Sequence, residues 1–224
     1  MRSRRCSCWI CSHGRCIKTG TRGVPDRPTG ESTVTYDSEA WKADWQPMMA
    51  AVGCDFDERP LVFVADRIEC SAVRRWLEPL EFDCALHYDQ DVARHHGHDQ
   101  IVVPVAALPT FVLEPMWRPG DVLFESDARD AQPSRSAVTG VRCPLEPPTT
   151  GFFATDIELD YLKTVTVGDR LLKHGALLVA CEPKETRVGR GAFITWQSKI
   201  LNEQFDVVAR TRTTVFRYNP TSTS

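Results

Sequence analysis

The sequence has no apolar run approaching the ~18 residues that a membrane span requires. Its start lacks the apolar core of a secretory signal. It also lacks an excess of positive charge: 27 Lys and Arg stand against 30 Asp and Glu, for a net charge of −3. A bulk electrostatic footprint for nucleic acid is therefore missing. No internal repeat or sustained heptad is present. These absences argue against a membrane protein and a nucleic-acid binder, and they make the cytoplasm the expected compartment. Hydrophobic residues, at 42%, suffice for a globular core.

Paired cysteine spacing is missing from most of the chain. Cys54, Cys70, Cys84, Cys143 and Cys181 are scattered and read as reduced thiols. Cys6, Cys8, Cys11 and Cys16 do cluster, with His13 among them. A usual zinc finger separates two ligand pairs by a folded spacer, and here the ligands are compressed. Residues 1–30 are rich in Arg, Gly, Ser and Pro and read as a disordered tail. A metal-binding knuckle is the alternative, which requires stoichiometric zinc. Residues 31–220 are expected to form a single domain.

Along that domain, "YDSEAWKADWQPMMAAVGCDF" predicts a helix capped by Asp37 or Ser38, with Trp41, Trp45, Met48 and Met49 on its packing stripe. Pro47 should kink or divide it. "RPLVFVAD" predicts a strand. "CSAVRRWLEPLEF" predicts a helix with Val73, Trp76, Leu77 and Leu80 buried and Pro79 near its end. A polar loop follows, then a short helix over "QDVARHH", capped by Asp89 and ended by Gly97. "IVVPVAALPTFVL" is apolar on every side and predicts a buried helix starting at Pro104. Residues 115–150 carry six prolines and read as a long inserted surface loop, with Met116, Trp117, Leu123 and Phe124 able to cover a ligand. Four strands rich in Val, Ile, Thr and aromatics complete the chain. The expected fold class is α+β, an antiparallel sheet wrapped around one long central helix.

Three stretches carry a family resemblance over roughly residues 37–218: "LHYDQDVARHHGHDQIVVPVAAL", "ELDYLKTVTVGDRL" and "KETRVGRGAFITWQSKILNEQFDVVARTRTTVFRY". In this order they resemble the hotdog-fold MaoC-like acyl dehydratases and their N-terminal-type dehydratase domains. The resemblance implies addition of water to a 2-enoyl thioester, or its removal from a 3-hydroxyacyl thioester, carried on coenzyme A or acyl carrier protein. It implies no metal or redox cofactor, and a homodimer or a heterodimer with another hotdog subunit.

Such a reaction needs a base for the proton beside the carbonyl and an acid for the departing hydroxyl. It also needs donors for the charge that develops on the thioester oxygen. The resemblance assigns the acid/base role to His87, its partner role to Asp83, and the oxyanion donors to the Val105 and Ala106 amides after Pro104. Arg187 and Arg190, in "TRVGRG", are candidates for a carrier phosphate. The loop departs from the family's Gly-Asp-x-Asn-Pro-Leu-His pattern. Aligned on His87, it places Phe82 at the Asp, Cys84 at the Asn and Ala85 at the Pro, with Asp83 one residue late.

That departure keeps a second reading open: a non-catalytic acyl-binding subunit of a heteromeric dehydratase. A thioesterase would want a carboxylate on the central helix, and residues 101–113 contain none. His95 and His96 are adjacent on a helix and point in different directions, which disfavours a shared metal. Cys84 has no motif that would activate a thiol nucleophile.

Overall fold

The computed structural model describes residues 39–136, 140–141 and 143–221. The expected tail, its cysteine cluster and the Asp37 or Ser38 cap lie outside the described residues.

The four C-terminal strands form one antiparallel sheet in the order β1-β4-β3-β2, with β1 at Gly151–Tyr161, β2 at Leu172–Thr186, β3 at Gly189–Leu201 and β4 at Val207–Asn219. Alternation along β3 sorts its side chains. Ala192, Ile194, Trp196, Ser198 and Ile200 share one face, and four of these five are apolar. Two apolar clusters cover this face. Trp45 and Met48 pack on Leu178, Ile194, Trp196 and Val215. Val73, Leu77, Val103 and Leu108 pack with Ile200, Val208 and Ala209. Between them lie Ser198 and Thr211, paired across β3 and β4 and both buried.

The opposite face carries an aromatic row. Phe153 and Phe193 flank Phe216 across three strands, and Tyr218 stacks on Phe216 with ring centroids 5.3 Å apart. Tyr218 fits because its ring crosses Gly151, where a Cβ has no room.

The N-terminal helical segment divides at Pro47, as expected. A 3₁₀ stretch covers Ala40–Trp45, and helix α1 covers Gln46–Ala50 with the proline in its first turn, where its missing N–H costs nothing. Helix α2, Cys70–Leu77, buries Val73 and Leu77. Leu80 is exposed, contrary to the sequence reading: Pro79 tightens Glu78–Leu80 into a 3₁₀ turn and rotates Leu80 off the stripe. Helix α3, Gln90–His95, starts at Asp89, whose carboxylate accepts the Asp91 and Val92 amides.

Two expectations need correction. Residues 59–66 form no strand. The Val62 N–H bonds locally to the Pro60 carbonyl at 2.9 Å, Pro60 has no donor, and Leu61 and Val62 are exposed. The long central helix is likewise absent. Helical structure there is confined to a 3₁₀ turn, Val105–Ala107, and helix α4, Leu108–Phe111. Pro109 removes one helical donor, and Pro115 steers the residue before it away from helical geometry. Residues 101–103 are instead extended and bonded to 165–167 through an antiparallel bridge between Val102 and Thr166.

Between α4 and β1 the described residues contain no helix or strand. In this stretch, Trp117 and Phe124 are exposed, and Met116 and Leu123 are half-buried. No described helix is long and apolar enough to cross a membrane.

Candidate active site

His87 ends a short 3₁₀ turn, Ala85–His87, in the polar loop between α2 and α3. Its ring is half-buried against Phe82, with ring centroids 5.7 Å apart. Its Nδ1 lies 2.7 Å from the Val102 carbonyl oxygen. A carbonyl only accepts, so this contact places the proton on Nδ1 and leaves the Nε2 lone pair available. The loop is fastened a second time where the Val102 N–H bonds to the Leu86 carbonyl at 3.1 Å.

The extended segment that holds His87 runs directly into the candidate oxyanion turn. Val105 and Ala106 are exposed, and neither amide donates to an acceptor among the described residues. A free histidine nitrogen and two free amides are thus fixed to one stretch of backbone, with two residues between Val102 and Val105.

Asp83 does not join them. It is exposed and makes no hydrogen bond or ion pair with His87. The one-residue displacement seen in the sequence is not recovered by the loop, because Glu81 takes a left-handed conformation (φ 50°) and the Phe82 ring, not the Asp83 carboxylate, lies beside the imidazole. Asp89 caps α3, as the sequence indicates. His95 and His96 meet edge-to-face with centroids 5.5 Å apart.

Arg187 and Arg190 lie at the far end of the sheet. Arg190 pairs with Glu185 at 3.1 Å and lines a cavity of about 800 Å³ with Trp41, Asp44 and Pro148. Ten residues of β3 separate it from Ile200, which packs with Val103; at the usual strand rise that is roughly 33 Å. The structure does not bring these arginines to His87.

A polar constellation that the sequence reading missed lies under β2. Asp55 and Asp57 cap a bulge there: Asp55 accepts the Ala176 N–H and Asp57 the Gly175 N–H, each at 2.8 Å. Gly175 sits at φ 94°, a conformation that favours glycine. The buried Asp57 carboxylate also holds Arg59 through two bonds of 2.9 Å. The Arg59 hydrogen bond keeps Asp57 well below the usual carboxylate range, against the opposing effect of burial. The available signal was Gly175 inside a strand pattern, which marks a bulge or a close approach.

Residues 50–211 match the family described as FAS1-like, dehydratase domain region. The chain belongs to this family. The resemblance to MaoC-like dehydratases and their N-terminal-type domains stands with it, as does the α+β hotdog class. A curated relative, the probable enoyl-CoA hydratase alpha subunit of Thermomonospora curvata, is 22% identical over 158 residues, covering 70% of this chain and 47% of its own. The chain thus spans about half the length of that relative. Among solved structures, the ChsH1-ChsH2 complex from Mycobacterium tuberculosis contains a chain of similar fold, at TM-score 0.56 and 21% identity, with 82% of this chain and 98% of that one covered. A MaoC-like dehydratase from Rhodospirillum rubrum aligns at TM-score 0.46 and 20% identity, covering 77% and 95%.

Proposed function

We propose that the chain is a hydro-lyase of 2-enoyl or 3-hydroxyacyl thioesters carried on coenzyme A or acyl carrier protein, in a cytoplasmic setting. The observation that carries this reading is the His87–Val102 hydrogen bond. It orients Nε2 as a proton acceptor and ties it to the segment that presents the Val105 and Ala106 amides. In hydration, Nε2 takes a proton from water as the oxygen attacks the enoyl β-carbon, and the imidazolium then returns a proton to the α-carbon of the enolate so formed. The two amides hold the thioester oxygen as it gains negative charge. Dehydration runs the same steps in reverse, with the imidazolium protonating the departing hydroxyl. The family and the curated relative's name support this chemistry.

The water still needs a second group to orient it. Asp83 stands away from His87, and this observation favours a second reading: the chain acts beside another hotdog subunit that completes the site, or it binds the acyl chain while that subunit performs catalysis. β1 suits such an assembly. It is a sheet edge, exposed on both faces, with Phe152, Phe153, Ile157 and Tyr161 open to solvent. An assay on a panel of enoyl thioesters, with the chain alone and with a second hotdog subunit, tests both readings. Turnover by the chain alone supports self-sufficiency, and turnover only with the partner supports the heteromer. Inactivity in both sets overturns the hydro-lyase.

A further inference from the structure

The two apolar clusters on the covered face of the sheet do not meet. The gap between them holds the buried Ser198 and Thr211 and opens into a cavity of about 500 Å³ lined by Phe56, Asp57, Arg59, Lys173, Gly175 and Ser198. Lys173 neighbours Ile200 in the β2–β3 ladder, so its side chain belongs to this face. Its ammonium forms no ion pair or hydrogen bond among the described residues.

The charges around it do not compensate it. Asp57 is the acid held deepest, and its oxygens are already taken by the Gly175 amide and the Arg59 guanidinium. Glu58 also lines the cavity but is exposed and makes no ion pair with Lys173. Arg59 is a second cation beside the lysine; its Nη2 reaches the Lys173 carbonyl at 3.4 Å, and its own charge is shared by Asp57 and, at 3.8 Å, by the exposed Glu114. Lys173 is exposed as a residue, but the protein around its ammonium, reinforced by the Arg59 charge, lowers it from its ordinary value. A lysine open to a cavity, next to an arginine and a hydroxyl and without a carboxylate of its own, is an arrangement that an anionic oxygen group would relieve.

We propose that this cavity is an anion-binding subsite in which Lys173, with Arg59 and the Ser198 hydroxyl, receives a carboxylate or phosphate group of a ligand. The subsite stands on its own residues and does not depend on the hydro-lyase reading. If that reading holds, the anion is either a carboxylate at the far end of the acyl chain or a phosphate of the carrier.

The test is direct binding to the full chain, with no turnover involved. Inorganic phosphate and glutarate are titrated separately at constant ionic strength against a chloride control, following the Lys173 side-chain resonance by NMR and the melting temperature. Saturable binding of either anion at about 1 mM or tighter, with the Lys173 pKa rising on binding, is the expected result. Lys173→Met should weaken that binding at least tenfold and Ser198→Ala severalfold. A preference for glutarate points to the acyl carboxylate, and a preference for phosphate to the carrier. Absence of saturable binding by both anions in the wild type, or equal binding by a folded Lys173→Met, overturns the proposal. The wild-type titration decides even if the variant fails to fold.

Discussion

The Nδ1 of His87 and the carbonyl oxygen of Val102 lie 2.7 Å apart, although fifteen residues separate them in sequence. The contact sets the tautomer of His87, the proposed acid/base group, and the first prediction rests on it. His87→Ala should lower hydration of an enoyl thioester by about 10²-fold or more, the usual scale for losing an acid/base group. Asp83→Asn should retain most of the activity, because the carboxylate does not reach the ring. Steady-state kinetics on both variants checks this, with circular dichroism as a fold control. Equal loss in both would show that the loop rearranges to pair Asp83 with His87.

Asp57 should make the fold acid-sensitive. Its pKa is lowered on folding, so the stability it contributes is present above the unfolded value of ~4 and is lost as pH falls below it toward the folded value. Asp57→Asn should cost about 1.5–3 kcal/mol at pH 7, the scale of hydrogen bonds to a charged group. The deficit relative to wild type should shrink as pH falls from 4 to 2. Urea titrations across that range read both effects.

Gly191 admits no side chain. A Cβ there would fall 2.0 Å from the Arg217 carbonyl oxygen and 2.6 Å from the Tyr218 Cα, which are backbone atoms that no rotamer change can move. Gly191→Ala should push β3 from β4 and cost about 1–3 kcal/mol, the usual range for overpacking. Thermal unfolding measures it. A variant as stable as wild type would mean that the strands separate there at little cost.

A charge on the open edge should oppose assembly without harming the fold. Ile157 is 58% exposed in this single chain. If β1 meets a second hotdog subunit, Ile157→Lys should lower the sedimentation mass toward that of one chain and leave the melting temperature of the isolated chain within a few degrees. Unchanged mass would place the interface elsewhere.

Local signals in the sequence were legible where local chemistry decides the structure. Asp89 caps α3 because its side chain reaches amides two and three residues away, and Pro47 divides the first helix through its own missing donor. The four strands show because β-branched and aromatic residues recur between turns. The same reasoning failed over 101–113, where uniform apolarity suggested a long helix. Residues 101–103 of that stretch are extended and bonded to residues 165–167, a partner more than sixty positions away that composition does not reveal. Residues 59–66 failed for the converse reason: the residues suit a strand, but no neighbouring strand supplies a ladder. At the candidate site, His87 could be singled out in the sequence but its acceptor could not. The Lys173 cavity depends on a bulge that joins residues more than a hundred positions apart.

The segment that carries the candidate oxyanion turn is joined to residues 165–167 by two amide hydrogen bonds, Val103 to Val165 and Val167 to Ile101, rather than by a full ladder. A junction of that size can open without unfolding the sheet. Amide hydrogens at Val103 and Val167 should therefore exchange by local opening, well ahead of those in the centre of β3. Acyl binding should slow them selectively, making their protection a gauge of occupancy that needs no catalytic turnover.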